Sequence, residues 1–319
     1  MLLKNMKKTK KYKIGFYKRP QGVFTKEKIS SIESELKNID NIELFSNLDY
    51  REFYTLNSSV FFNDFNVSDL DLYFWHDTIR PLDWKGDNYY LNILKLLENN
   101  CTVINSSESV RIVNDKYLAH SLLKKNNLPV ADFALVHVAN KKALINAFNN
   151  LGKKVLIKPR FGGWGVGILK IESETQLLDT MELLLSFLPG DQQQVLLEKF
   201  YPNDISKWIA VVVFGNKVLF GYKKQIMEQS EWKVYDPDKK DGKGEYSEYV
   251  DPPKELKKIA LQAKELINKD IVGFDFIYTE EGYKIVDENG RPGIYPQCLK
   301  GAGVNIEEET VNLILDKIN

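Results

Sequence analysis

Two carboxylates and an amide near the C-terminal end of the chain have the spacing of a metal site. Residues 273–293 read GFDFIYTEEGYKIVDENGRPG, which predicts a β-hairpin with a Glu-Glu-Gly turn. Side chains two apart on a strand share a face, so Asp287 and Asn289 lie together and Glu288 points away from them. Pairing about the turn brings Asp275 opposite Asp287. Three oxygen donors then converge, which suits Mg²⁺, although a polar hairpin end with solvated acids explains the same residues.

A glycine-rich segment, KPRFGGWGVG, begins at Lys158 between two predicted strands. Four glycines within six residues allow a tight turn whose backbone N–H groups face an anion, and Lys158 adds a positive charge there. These glycines are Gly162, Gly163, Gly165 and Gly167. The segment is neither a P-loop nor a dinucleotide fingerprint, because no Gly-Lys-Ser/Thr closes it and a strand follows. A flexible hairpin turn is the alternative interpretation.

The elements that must position these groups follow from hydrophobic periodicity. The first part of the chain alternates strands with helices, of which 26–37 is the clearest, and this pattern predicts a small parallel sheet with covering helices. A helix is expected over 115–126, since Asn114 or Asp115 can cap its start and Pro129 follows its end. From residue 154 onward the chain is rich in strands, and Gly215-Asn216 marks a hairpin.

Composition limits the classes of function. The chain has 319 residues, 44 basic and 44 acidic, so its net charge of zero indicates neither a nucleic-acid nor an anionic membrane partner. Two cysteines imply no disulfide framework, and no apolar run has the length of a membrane span, so we expect a cytoplasmic protein. The sequence leaves open whether it forms a homo-oligomer. The polar 228–251 segment is either a functional lid or disordered.

Taken in order, these motifs resemble the ATP-grasp superfamily, and within it the RimK-like and glutathione-synthetase-like carboxylate–amine ligases. The resemblance implies an α/β fold of the ATP-grasp type. It divides the chain into an N-terminal parallel α/β domain (12–112), a central α+β subdomain with the glycine-rich loop (113–194) and a C-terminal antiparallel subdomain with the metal site (195–319). ATP would lie between the last two. One departure is that the usual Asp-Ile/Val-Arg motif reads DISKWIAVVVFG, without the Arg.

The resemblance also assigns roles to residues. Asp275, Asp287 and Asn289 would bind Mg²⁺, with Mn²⁺ as a substitute, and Asp287 stands where the family commonly has Glu. The residues implied in ATP binding are Lys116, Lys158, Gly162, Gly163, Trp164, Gly165, Glu198, Lys199, Phe200 and Asp204. Among them, Glu198 would lie near the adenine amino group, the next two residues would bind through their backbone, and Asp204 would contact ribose. Trp164 would close over phosphates or substrate, or simply pack.

The activity implied is an ATP-dependent C–N ligase that forms an amide through an acylphosphate, on an amino acid or small peptide. Arg291 and Lys224 are the candidate catalytic cations, and Arg80 and Arg291 are the candidate substrate-binding residues; surface roles would also explain the arginines. His76 is a candidate base or a structural histidine. Two alternatives stay open. A small-molecule ATP-grasp kinase would use lid lysines, and a non-catalytic ATP-binding module would be expected to lose a metal ligand.

Overall fold

The computed structural model describes residues 10–75, 89–162, 165–188, 193–224 and 247–318. The chain divides into two compact units: Met1–Val110 with Gly303–Asn319, and Arg111–Ala302. The three-part division at 12–112, 113–194 and 195–319 remains a prediction, and the last helix groups with the first unit. No helix within the described ranges is long and apolar enough to cross a membrane.

The described strands and helices alternate in the first third of the chain and become mostly strands later. The strands are β1 (Tyr12–Tyr17), β2 (Ile42–Ser46), β3 (Tyr54–Leu56), β4 (Ser59–Phe62), β5 (Phe65–Asn66), β6 (Leu72–Trp75), β7 (Thr102–Ile104), β8 (Phe133–His137), β9 (Val155–Pro159), β10 (Leu169–Ile171), β11 (Gln194–Lys199), β12 (Ile209–Phe214), β13 (Lys217–Lys224), β14 (Ser247–Val250), β15 (Ile271–Thr279) and β16 (Gly282–Asn289). The helices are α1 (Lys26–Lys37), α2 (Tyr89–Leu97), α3 (Ser107–Asn114), α4 (Lys116–Lys125), α5 (Lys141–Asn150), α6 (Glu174–Phe187), α7 (Lys254–Ile267), α8 (Pro296–Ala302) and α9 (Ile306–Ile318).

The first unit contains the predicted parallel sheet, with strand order β2-β1-β6-β7. Strand β6 reads LYFW and is buried along its whole length, as a parallel strand covered on both faces must be. Helix α1 has the bounds that its periodicity predicts, and the Thr25 hydroxyl caps it by accepting from the Lys28 N–H. The small antiparallel sheet β3-β4-β5 was not predicted.

The second unit contains two antiparallel sheets, of order β10-β9-β11-β8 and β14-β13-β12-β15-β16. Helices α5 and α6 share an apolar core with the first of these sheets, centred on Phe148 and Leu177. Helices α4 and α7 share another core with the second, centred on Phe274 and Phe276. The predicted α/β class is confirmed, with one parallel sheet and antiparallel sheets in the part that carries the site.

The predicted hairpin is formed by β15 and β16, and Asp275 does pair with Asp287. The turn is tighter than expected, because Thr279 pairs with Gly282 and only two residues connect the strands. A β-bulge restores the expected register: Phe276 pairs with Ile285 and Asp275 with Asp287, so Val286 has no partner on β15. The extra residue of a bulge leaves the ladder locally disrupted, here directly beside Asp287.

Candidate active site

The acidic face of the β15–β16 hairpin holds the three predicted metal ligands together. Asp275 and Asp287 face each other across the hairpin, and the Asn289 Nδ2 donates to Asp275 Oδ1 at 3.0 Å. Because the amide nitrogen of Asn289 donates to Asp275, its amide oxygen is the atom suited to bind a hard cation. Among the described residues, no group of three His, Cys, Asp or Glu side chains is arranged to hold a metal ion, and this set of two carboxylates and one amide offers only hard oxygen donors.

The charges of this face fit a divalent cation. Burial and the neighbouring charge of Asp287 raise the pKa of Asp275 to about 7, although Lys224, Lys116 and Lys158 act in the opposite direction. The ionised form of Asp275 is therefore disfavoured by its burial and by repulsion from Asp287. A cation held by oxygen atoms of Asp275, Asp287 and Asn289 would relieve this repulsion, and hard oxygen donors are what Mg²⁺ prefers.

Lys116 already brings one positive charge to this face. It is the first residue of α4, and the Asp115 side chain caps that helix by accepting from the N–H groups of Tyr117 and Leu118. The Lys116 Nζ forms an ion pair with Asp287 Oδ1. Burial acts to lower the pKa of Lys116, but the charge of Asp287 outweighs it and the pKa is raised. The sequence-predicted nucleotide lysine and metal ligand are thus in direct contact.

Lys158, the second predicted nucleotide lysine, reaches the same strand from β9. Its Nζ lies 2.7 Å from Glu198 Oε1 on β11 and donates to the carbonyl oxygen of Val286 at 2.9 Å. That carbonyl belongs to the bulge residue, immediately before Asp287. Two ammonium groups from separate elements therefore converge on consecutive residues of β16, the strand that bears two of the predicted metal ligands.

A buried histidine that sequence reasoning missed links these elements. His120, fully buried on α4, has its Nδ1 3.0 Å from Glu288 Oε2 and its Nε2 3.3 Å from Glu198 Oε2. Burial acts to lower the pKa of His120, but the two carboxylates outweigh it and raise the pKa to about 9. The available signal was its position one helical turn after Lys116, which puts both on one face. Glu288 does point away from Asp287, towards this buried ring.

The side chain of Glu198 is committed to this network. It is 1% exposed, and its two oxygens contact Lys158 and His120. Burial acts to raise the pKa of Glu198, but Lys158 and His120 lower it, so the carboxylate is ionised. Its expected position near an adenine amino group stays a prediction. The backbone N–H groups of Lys199 and Phe200 donate within the protein, to Asp132 and Lys154 oxygens at 2.8 and 2.9 Å.

The glycine-rich segment lies between β9 and β10, the two strands that the sequence predicts around it, and these strands pair antiparallel. Gly162 and Gly165 have φ values of +123° and +63°, which favour glycine, while Gly163 and Trp164 lie outside the described residues. Arg160, at its start, is held by both oxygens of Asp115 and by Gln194. The Arg160 carbonyl also accepts from the Lys116 N–H at 3.1 Å. The segment is thus fastened to the start of α4.

The remaining predicted residues fall into three groups. Lys224 ends β13 close enough to affect the pKa of Asp275, and Arg291 is half-buried just after β16. Asp204 is exposed and caps a short 3₁₀ turn, accepting from the Ser206 N–H at 3.1 Å. Arg80 and His76 lie outside the described residues, as does most of the 228–251 segment.

A model of the RimK-like ATP-grasp domain matches residues 113–314, well over half of the chain and the whole of this site. The chain belongs to the RimK-like ATP-grasp family. The ATP-grasp assignment made from the order of the motifs is therefore confirmed. ATP use follows from the fold, because the site described above is the part of the chain that the family shares.

Named relatives of this ATP-grasp protein are ligases. It is 25% identical to the tetrahydromethanopterin:α-L-glutamate ligase of Methanocaldococcus jannaschii, over 93% of this chain and 98% of that one. It is 23% identical to the glutamate–LysW ligase ArgX of Sulfolobus acidocaldarius, over 74% and 80%. Among solved structures, a RimK domain ATP-grasp protein of Sphaerobacter thermophilus has a TM-score of 0.65 at 14% identity, covering 95% and 98%. The ligase PsnB, complexed with a minimal precursor, also has a TM-score of 0.65 at 14% identity, covering 98% and 99%.

Proposed function

We propose that this ATP-grasp protein is an ADP-forming carboxylate–amine ligase that acts on an amino acid or small peptide. The observation that carries the proposal is the convergence of Lys116 and Lys158 on consecutive residues of the strand that bears Asp287. Phosphoryl transfer requires positioning and charge neutralisation more than covalent help from the protein. Two cations beside a set of hard oxygen ligands supply both.

Each charged residue has a separate role in this proposal. Asp275, Asp287 and Asn289 would hold Mg²⁺, or Mn²⁺ in its place, and a bound divalent ion would neutralise the phosphate charges of ATP. Lys116 would exchange its contact with Asp287 for a phosphate oxygen, since an ammonium and a metal ion compete for the same carboxylate. The Lys158 ammonium donates a hydrogen bond to the Val286 carbonyl and forms an ion pair with Glu198. These two contacts hold it at the bulge.

The reaction proceeds in two balanced steps. A carboxylate oxygen of the substrate bonds to the γ-phosphorus of ATP as the bond to ADP breaks, which gives an acylphosphate. An amine nitrogen then bonds to the acyl carbon, phosphate leaves, and the nitrogen loses a proton. Arg291 lies just after β16. Its guanidinium would bind the acyl carboxylate or the developing phosphate charge, because a guanidinium binds such groups with two parallel hydrogen bonds. Lys224 supplies further positive charge near Asp275.

L-Glutamate is the first amine to test. The names of several relatives specify α-L-glutamate, and others specify D-alanine or a precursor peptide. Glutamate and D-alanine are amino acids, and the precursor is a peptide. An amino acid or peptide amine is therefore the chemical class that we propose for this chain.

Phosphate release in a screen of amino acids and short peptides, with mass spectrometry of the products, tests the proposal. ADP, phosphate and an amide in equal amounts support the ligase. A phosphorylated product would instead support an ATP-grasp kinase, and ATP binding with no turnover would support a non-catalytic module. Asp287→Asn is the matched control, because it removes one carboxylate charge with little change of volume.

A further inference from the structure

Helix α4 presents two functional side chains to β16, one turn apart. Lys116 reaches Asp287, and His120 reaches Glu288, the next residue along the strand. Neighbouring side chains on a strand point to opposite faces. Side chains from one face of the helix therefore reach strand residues that point to opposite faces, Lys116 at Asp287 and His120 at Glu288.

The contacts of His120 continue to Lys158 and return to the same strand. His120 contacts Glu198, Glu198 contacts Lys158, and Lys158 donates to the Val286 carbonyl. The network starts at Glu288 and ends at Val286, so it holds the strand on both sides of Asp287. Val286 is the bulge residue, where the ladder with β15 is interrupted. The network thus fixes the strand where its own pairing is weakest.

The charges of this network balance only when His120 contributes one. Glu198 and Glu288 are two buried carboxylates, and an ionised carboxylate only accepts hydrogen bonds. Both ring nitrogens of His120 face such oxygens, so both must donate. Among the described residues, the other oxygen of Glu288, Oε1, is buried without a hydrogen-bond partner. The bond from His120 is therefore the one that compensates this carboxylate.

We propose that His120 is a positioning residue of the ATP site: its ring holds Glu198 against Lys158 and Glu288 behind Asp287. This inference rests on the proposed ATP-binding function. Without the imidazolium, Glu288 loses its hydrogen-bonded cation and Glu198 keeps only Lys158, so Lys158 is drawn towards Glu198 and the strand that bears Asp287 loses its support. Partners that orient metal ligands from behind typically change affinity or activity by about 10–100-fold.

The test measures binding of Mn²⁺·ATP and turnover in three variants. His120→Gln should weaken Mn²⁺·ATP binding about 10–100-fold, because glutamine keeps a donor but not the charge. The double variant His120→Gln with Glu288→Gln balances the charges again, because one carboxylate, Glu198, then faces one ammonium, Lys158. Its two new amides can hydrogen-bond to each other. We therefore expect the double variant to bind Mn²⁺·ATP at least about tenfold more tightly than the single variant. Such a rescue is expected only if the two residues interact. His137→Gln, the same change at an exposed position on β8, is the matched control.

Each outcome decides the proposal. A folded His120→Gln protein with wild-type Mn²⁺·ATP affinity and turnover overturns it, and so does a double variant that is no better than the single one. If the single variant does not fold, the double variant carries the test: near wild-type affinity supports the proposal, and failure to fold or bind overturns it. Mn²⁺·ATP binding is measured without acyl donor or amine. A substrate screen that yields no product would count against the ligase activity but would not change the binding result.

Discussion

Raising the pH should remove the charge of His120 and with it part of the stability of the second unit. Its two ring nitrogens face Glu288 and Glu198, which raise the pKa of the ring to about 9 in the folded chain, against 6.5 in the unfolded chain. A group whose pKa is higher in the folded state contributes stability that is complete below the unfolded pKa. This contribution should be full below pH 6.5, decline between 6.5 and 9, and be absent above 9.

The size of the effect follows from the difference between the two pKa values, which corresponds to about 3 kcal/mol. A second buried group opposes it. Burial lowers the pKa of Lys269 from 10.5 to about 7, so the unfolded chain binds more protons there and stability rises with pH between 7 and 10.5. The two slopes, each about 1.4 kcal/mol per pH unit, nearly cancel in the wild-type protein between pH 7 and 9.

The reference must therefore be a protein in which Lys269 still titrates and position 120 no longer does. We expect the His120→Gln, Glu288→Gln double variant to gain about 3 kcal/mol of unfolding free energy between pH 7 and 9, while the wild type stays nearly level. Urea unfolding, followed by probes in the second unit, measures this difference. The ¹⁵N resonances of the ring provide a direct check, since the chain has only three histidines and the variant assigns the signal. Parallel stability curves, or a ring that is neutral at pH 7, would refute the reasoning.

Four substitutions test other parts of the site. Asp287→Asn should lower Mg²⁺-dependent turnover about 100-fold or more with the fold intact, measured beside Mn²⁺ binding by electron paramagnetic resonance; wild-type rates would contradict the metal assignment. Asp115→Ala removes a helix cap and the partner of Arg160, and should cost about 1–3 kcal/mol in urea unfolding. Gly273→Ala places a Cβ 2.8 Å from Pro292, and should cost about 1–3 kcal/mol in thermal unfolding. Arg291→Ala should reduce kcat more than ATP affinity; weakened ATP binding alone would argue against its substrate role.

Much of the fold could be predicted where a local pattern decides the structure. Helix α1 and the β12–β13 hairpin lie where periodicity and the Gly215-Asn216 turn put them. Helix α4 begins at Lys116 because Asp115 caps it, as its sequence indicates. The short sheet β3-β4-β5 was missed because its strands have two to four residues, too few for a period to show. Helix α3 was missed for a similar reason, since it spans two turns.

The amino-acid sequence alone places Asp287 and Asn289 on one face, because strand alternation is a property of the backbone. It also predicts that Asp275 pairs with Asp287, but the folded hairpin reaches that register only through the bulge at Val286. The sequence also determined that a glycine-rich turn joins two strands after Lys158. The packing of elements distant in the chain, by contrast, brings both lysines to β16 beside the bulge at Val286.

The buried network was likewise decided by the tertiary structure. His120 meets Glu288 and Glu198 across 168 and 78 residues of chain. A polar residue on a helix gives the same local pattern whether it faces water or a buried carboxylate. Its role depends on which charges the rest of the fold brings beside it, and only packing brings them there.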